Sequence, residues 1–147
     1  MVLDIAAGSG RHALLFAERG HSVIAIDRDV SRLPQRAGIE GLQADLENGS
    51  PWPLPGRTFG AVVVTNYLHR PLIPVLLDAV QCNGVLLYET FMVGNERFGK
   101  PARPEFLLDD GELLDVVRGR FSVVAYEARP VRQPRMAVVQ RIAARRL

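Results

Sequence analysis

The chain has 147 residues, of which 48% are hydrophobic and 23% are charged. This ordinary usage argues against disorder and against a fibrous repeat, and the length fits one domain over residues 1–147. The only cysteine, Cys82, excludes an internal disulfide framework and favours a cytoplasmic protein. No stretch approaches the roughly 18 apolar residues of a membrane span.

The formal net charge of +2 hides an asymmetry along the chain. Residues 1–127 carry 12 basic and 16 acidic groups, whereas residues 128–147 carry six arginines and no acid. Such a tail could contact a nucleic acid or an acidic partner. A solvated face is the more ordinary interpretation, because arginine outnumbers lysine 17 to one in the whole chain.

Short β-branched runs alternate with amphipathic stretches of helical length, which predicts a mostly parallel sheet with helices on both faces. Proline and glycine predict a loop over residues 48–58. The last two strands are joined without a helical pattern, so we expect them to pair antiparallel. The predicted strands are 1–5, 22–27, 41–44, 59–65, 84–90, 121–127 and 136–142, and the predicted helices are 13–19, 30–37, 72–80 and 110–117.

A glycine-rich turn joins the first predicted strand to the first helix, in Asp4-Ile5-Ala6-Ala7-Gly8-Ser9-Gly10. Gly8 and Gly10 allow a sharp turn and a close approach of a ligand, and the helix start offers free N–H groups to an anion. Turns of this kind also bind dinucleotides. The turn alone therefore indicates only a nucleotide-like ligand.

Two further carboxylates end the next two strands. Asp27 lies 17 residues after Gly10, where it can accept hydrogen bonds from both hydroxyls of a ribose, which favours an adenosine derivative without a 2′-phosphate. Asp45 ends the third strand, where an acceptor could take the adenine amino group while Leu46 covers the ring.

The run Val2-Leu3-Asp4-Ile5-Ala6-Ala7-Gly8-Ser9-Gly10 resembles motif I of class I S-adenosylmethionine-dependent methyltransferases, and Asp27 and Asp45 stand where that family's second and third motifs stand. The resemblance implies a Rossmann-like fold with seven strands and S-adenosylmethionine as cofactor. It also implies that Asp4 and the turn hold the methionine portion. Residues 66–72 and 94–100 are similar to bacterial tellurite-resistance methyltransferases. The predicted cofactor site comprises Asp4, Ala6, Gly8, Ser9, Gly10, Asp27, Arg28, Asp45, Leu46, Thr65 and Asn66.

Methyl transfer from a sulfonium depends chiefly on alignment, so few obligatory catalytic residues are expected. A general base is needed only if the acceptor must lose a proton, and Tyr67 and His69 are then the nearest candidates. Each residue also has an ordinary structural explanation. Tyr67 could pack against the sheet, and His69 could be a polar residue at the start of a helix. We expect Glu89 to face the cleft or to pair with Arg97. The scattered histidines and single cysteine offer no metal-ligand spacing.

Members of that family carry a helical segment, or lid, before motif I. None precedes motif I in this sequence, so we expect either that the chain is a truncation or that the lid is missing. Apolar surface around Tyr67, Leu68 and Phe91 should then be exposed, and covered either by a homodimer, which we favour, or by the chain's own 94–108 loop. The acceptor is expected to be a small molecule. Two other functions remain open, a nicotinamide-dependent oxidoreductase and a non-catalytic binding module derived from a methyltransferase core.

Overall fold

The computed structural model describes residues 1–147. Seven strands form one sheet in the order β3-β2-β1-β4-β5-β7-β6. Strands β1 to β5 run parallel, and β7 is antiparallel to both β5 and β6. The predicted mostly parallel sheet with a terminal antiparallel pair is confirmed. The strands are β1 Val2–Ile5, β2 Val23–Asp27, β3 Ile39–Gln43, β4 Phe59–Thr65, β5 Val80–Phe91, β6 Phe121–Val131 and β7 Ala137–Arg146.

Three short helices cover the sheet: α1 Arg11–Glu18, α2 Ile73–Ala79 and α3 Glu112–Val117. Three 3₁₀ turns also occur, at Arg70–Leu72, Asn95–Arg97 and Pro104–Phe106. No helix is both long and apolar enough to cross a membrane.

Two apolar clusters lie on opposite faces of the sheet. Alternate residues of β1, such as Leu3 and Ile5, join the larger cluster with α2 and α3, whereas Val2 joins the smaller cluster with Ala13 of α1. The central strands are buried on both faces, as expected for parallel strands covered by helices. Their carboxyl ends therefore meet at one edge of the sheet.

The helix predicted at 30–37 is wrong, because this segment forms turns. Asp29 accepts a hydrogen bond from the Ser31 amide at 2.9 Å, and the Leu33 amide bonds to the Val30 carbonyl as a single turn. Pro34 offers no amide hydrogen to extend a helix. The segment instead places Leu33 and Pro34 against the glycine turn.

Strand β5 begins earlier than predicted, at Val80. Its pairing with β4 shifts from Phe59↔Val80 to Ala61↔Val85, so residues 81–84 are an irregularity inside the strand. Asn83 has a left-handed φ of 62°, which asparagine tolerates better than most residues. The predicted strand 84–90 is thus the regular part of a longer one.

Candidate functional site

The glycine turn follows β1 at the carboxyl edge of the sheet. A Cβ on Gly10 would lie 2.7 Å from Pro34 Cδ, so packing requires glycine there. A Cβ on Gly8 would meet nothing nearer than Arg32 Nη2 at 4.0 Å, although its φ of 58° also suits glycine. Gly10 therefore serves the fold, while Gly8 leaves open space over the turn. The predicted site residue Ser9, between them, is exposed.

Asp27 ends β2 beside this turn, as the sequence predicts. Its Oδ2 accepts a hydrogen bond from the Gly8 amide at 2.8 Å, and its Oδ1 accepts one from the Asp29 amide at 3.0 Å. An ionised carboxylate has about four acceptor positions, so about two remain for a ligand. The carboxylate is thus oriented by the backbone and can still accept hydrogen bonds.

Asp4 lies inside β1 with a residue exposure of 1%. Neither carboxylate oxygen has a hydrogen-bond partner. Burial is the largest influence and raises the pKa of Asp4 to about 7. The negative charge of Asp27 also raises this pKa. The nearby Ala13 amide lowers it, although that amide does not form a hydrogen bond with the carboxylate. An unpartnered acid in this position is costly to the fold, which is typical of functional sites.

A cleft of about 330 Å³, here called the turn cleft, lies between the glycine turn and the end of β3. Five predicted site residues and Glu47, which the sequence did not indicate, line it: Ala6, Asp27, Arg28, Leu46, Tyr67 and Glu47. Asp45 does not line this cleft. It faces a neighbouring groove beside Trp52, and its Oδ1 accepts a hydrogen bond from the Glu47 amide at 2.9 Å.

Thr65 ends β4 and Asn66 follows it, but the two residues face different spaces. Thr65 lines a groove on the sheet face, with its Oγ1 3.5 Å from His12 Nδ1. Asn66 has a left-handed φ of 54° and lines a second cavity. Glu89 lies in the same groove as Thr65 and pairs with Arg141 at 3.1 Å, so the expected pairing with Arg97 is wrong.

The second cavity, here called the cap cavity, has a volume of about 260 Å³. Its floor includes Asn66, Tyr67 and Phe91. Its outer wall is formed by Pro101 and Phe106, which belong to residues 94–108, here called the cap. The apolar surface predicted to be exposed here is therefore largely covered by the chain itself.

Two polar side chains hold the cap in place. Asn95 is buried, donates to the Pro101 carbonyl at 2.9 Å and accepts from the Val138 amide at 3.0 Å. Arg70 donates to the Leu107 carbonyl at 2.8 Å and binds both oxygens of Glu112 at 2.8 and 2.9 Å. Both side chains bridge distant parts of the chain, so the cap is fixed rather than loose.

Gln140 of β7 anchors the start of α3, the helix that follows the cap in the chain. It is fully buried, accepts a hydrogen bond from the Leu113 amide at 2.7 Å and donates one to the Asp109 carbonyl at 3.0 Å. These two hydrogen bonds therefore hold the segment that connects the cap to α3 against the sheet.

The two predicted catalytic residues occupy different positions. Tyr67 lines both the turn cleft and the cap cavity, and burial together with the nearby Glu47 carboxylate raises the pKa of its phenol above the usual range. His69 lies outside both spaces, with its Nδ1 3.4 Å from Glu47 Oε1. Tyr67 is thus suited to donate a hydrogen bond rather than to accept a proton.

A family model described as a methyltransferase domain matches residues 3–75, which include the glycine turn, Asp27 and Asp45. These residues therefore form a methyltransferase domain, and the fold is that of the class I S-adenosylmethionine-dependent methyltransferases. No curated protein matches the chain in sequence.

Solved structures share the methyltransferase fold along the whole chain. TehB from Haemophilus influenzae superposes with a TM-score of 0.77 at 16% identity, over 99% of this chain and 57% of that protein. An S-adenosylmethionine-dependent methyltransferase from Methanosarcina mazei superposes with a TM-score of 0.72 at 19% identity, over 99% of this chain and 92% of that protein. The 1,6-didemethyltoxoflavin-N1-methyltransferase of Burkholderia thailandensis, with 1,6-didemethyltoxoflavin and S-adenosylhomocysteine bound, superposes with a TM-score of 0.68 at 19% identity, over 99% of this chain and 70% of that protein. This methyltransferase chain therefore spans little more than half of the Haemophilus protein.

The sequence did not reveal two residues of this methyltransferase domain. Glu47 lies between Tyr67 and His69 and lines both the turn cleft and the cap cavity. Arg70 holds the cap. The only signal for Glu47 was its position two residues after Asp45 at a strand end, and nothing near Arg70 indicated a partner 42 residues away in Glu112.

Proposed function

We propose that this chain transfers a methyl group from S-adenosylmethionine to a small-molecule acceptor, with the cofactor bound in the turn cleft. The observation that carries the proposal is Asp4, a buried carboxyl without a hydrogen-bond partner directly behind the glycine turn. A positively charged ligand over the turn would favour its ionised form. The matching methyltransferase domain supports the same cofactor.

The residues around the turn cleft fit this cofactor. Gly8 leaves the space over the turn that the methionine portion would need. Asp27 retains acceptor capacity for the two ribose hydroxyls, and Leu46 offers an apolar surface for the adenine ring. Asp45 would reach the adenine amino group only from the side of the neighbouring groove.

When bound, S-adenosylmethionine supplies an activated methyl group whose departure from sulfur needs no protonation of the leaving group. The protein's part is to bind, align and exclude water. Asn66 and Tyr67 lie where the turn cleft approaches the cap cavity, and Tyr88 fixes this segment by donating to the Tyr67 carbonyl at 2.9 Å. The cap shields the acceptor side from solvent.

Two other functions receive less support. A nicotinamide cofactor would use the turn and Asp27 but gives no role to the unpartnered Asp4. Nucleic-acid binding through the C-terminal arginines stays a prediction with less support, because five of the six already bind carboxylates or carbonyls of the chain itself. These are Arg129, Arg135, Arg141, Arg145 and Arg146.

We also propose a bacterial, cytoplasmic setting, a single methyltransferase core over residues 1–147, and no resident metal ion. Support for this setting comes from the resemblance to bacterial methyltransferases and from the one free cysteine. A homodimer remains a prediction, although the surface first expected to drive it is covered by the cap. Light scattering across a concentration series tests the homodimer, because it measures the molecular mass of the protein in solution.

Equilibrium binding by calorimetry tests the proposed function without knowledge of the acceptor. We expect S-adenosylmethionine and S-adenosylhomocysteine to bind with one site per chain and NAD⁺ to bind far more weakly. Formation of S-adenosylhomocysteine with a panel of small acceptors then tests turnover. Tighter binding of NAD⁺, or no binding of S-adenosylhomocysteine, would contradict the proposal.

A further inference from the structure

The cap cavity and the turn cleft meet at two side chains, Glu47 and Tyr67, which line both spaces. A donor bound in one space and an acceptor bound in the other would therefore approach each other at this boundary. The cavity is smaller than the roughly 300 Å³ at which pockets for drug-sized ligands begin, so its occupant should be a small ring system.

The chemistry of the lining restricts what can bind in the cap cavity. Aromatic and apolar side chains, among them Tyr67, Phe91 and Phe106, form most of the wall. Glu47 is the only carboxylate in the lining, and no lysine, arginine or histidine lines it. An anion would meet a negative charge with no cation to neutralise it, whereas a group that donates a hydrogen bond would find an acceptor.

The predicted bases cannot take a proton directly from this cavity. His69 lines the neighbouring groove and not the cap cavity, and its Nδ1 faces Glu47 at 3.4 Å. The phenol of Tyr67 stays protonated because burial and the Glu47 charge raise its pKa. Glu47, whose side chain lines the cap cavity and is 42% exposed, is the remaining group.

We infer that the cap cavity binds a neutral, planar acceptor carrying an N–H or O–H group, and that Glu47 is the catalytic residue that accepts its proton. The acceptor's bond to hydrogen breaks and the proton passes to a Glu47 oxygen. The electron pair left on nitrogen or oxygen forms the bond to the methyl carbon, and the sulfur keeps the electrons of its broken bond. This inference rests on the proposed function and excludes oxyanions as acceptors.

The test uses the full chain saturated with S-adenosylhomocysteine, and NMR of the Leu68 methyl groups, which lie in the cavity wall. The probes are benzimidazole as a neutral N–H ring, benzoate as an anion of similar size, and tellurite as an oxyanion. We expect benzimidazole to shift the Leu68 methyl signals saturably, and benzoate and tellurite to leave them unchanged. Glu47→Gln should weaken benzimidazole binding by about tenfold or more, as expected for a lost charged acceptor.

The matched control is Glu40→Gln, which removes an exposed carboxylate on the edge strand β3 and should leave benzimidazole binding unchanged. Benzoate or tellurite binding as tightly as benzimidazole, an unchanged benzimidazole affinity in Glu47→Gln, or no shift with benzimidazole would each overturn the inference. Failure of S-adenosylhomocysteine to bind the unmodified chain would instead overturn the proposed function. The two failures are therefore distinguishable.

Discussion

The two sides of the candidate site are built in different ways. The turn side uses a short stretch around Gly8 and a carboxylate, Asp27, held by backbone amides. The cap side depends on buried side chains such as Asn95 that join segments far apart in the chain. We conclude that the turn side is organised for binding at a cost in stability, whereas the cap side is organised for stability. Substitutions should separate these two roles.

The largest expected loss of stability is on the cap side. Asn95→Ala removes two hydrogen bonds and leaves the Val138 amide and the Pro101 carbonyl without that partner. We expect the free energy of unfolding to fall by roughly 3–4 kcal/mol, since each unsatisfied buried group costs about 1–3 kcal/mol. Urea unfolding measures this. Asn48→Ala is the control, because the Asn48 side chain accepts its hydrogen bond from the Ser50 amide in an exposed loop. An equal loss in both variants would contradict the role of Asn95.

Asp4→Asn should instead raise the free energy of unfolding at pH 8. The folded-state pKa of about 7 lies above the ordinary value of 3.8, so between these values the folded chain holds a proton that the unfolded chain has lost. Stability therefore falls as the pH rises through this window, by up to about 4 kcal/mol. Asn cannot ionise, so the variant should be more stable than the unmodified chain at pH 8, and the difference should vanish near pH 4.

The same variant should bind S-adenosylmethionine more weakly, because the carboxylate that favours a cationic ligand is gone. Urea unfolding at several pH values and calorimetry measure the two effects. A variant that is less stable at pH 8, or one that binds normally, would show that Asp4 has no such role.

Asp27→Ala tests the turn side through binding. The ribose hydroxyls would lose a charged acceptor, so we expect S-adenosylmethionine affinity to fall by roughly 1.5–3 kcal/mol in calorimetry. The Gly8 and Asp29 amides also lose their partner, so a smaller loss of stability should accompany it. Asp110→Ala, at an exposed position, is the control, and an unchanged affinity in Asp27→Ala would remove Asp27 from the site.

The smallest expected change in stability is at the turn itself. Gly8→Ala places a side chain at a φ of 58° and should cost about 1 kcal/mol of folding stability. Gly49→Ala has a similar backbone cost, at a φ of 82° with nothing near its Cβ. Only Gly8→Ala should also weaken S-adenosylhomocysteine binding, because its Cβ enters the space over the turn. Equal binding by both variants would contradict the placement of the ligand.

The sequence predicted the parts of this molecule that depend on local pattern. Alternating apolar runs located all seven strands, and the spacing of Asp27 from the glycine turn placed both at one edge of the sheet. The helix predicted at 30–37 failed because a local hydrogen bond to Asp29 and the ring of Pro34 outweighed a weak helical pattern.

The cap side could not be predicted in the same way. Asn95 binds Val138 and Arg70 binds Glu112, contacts that no local spacing reveals. The surface expected around Leu68 was an inference from a family lid, and of its two expected covers the structure shows the chain's own cap rather than the favoured homodimer. Glu47 became visible as a candidate only when the structure placed it between two cavities.

The most direct test of the central claim, that the ligand binds in the turn cleft, is a backbone-amide NMR titration with S-adenosylhomocysteine. We predict that the largest shifts occur at the amides of Gly8 and Asp29, which orient Asp27, and at Arg28 in the cleft wall. The strands β6 and β7 should change little. Saturable binding whose largest shifts lie on β6 and β7, with the amides of Gly8 and Asp29 unmoved, would contradict the account.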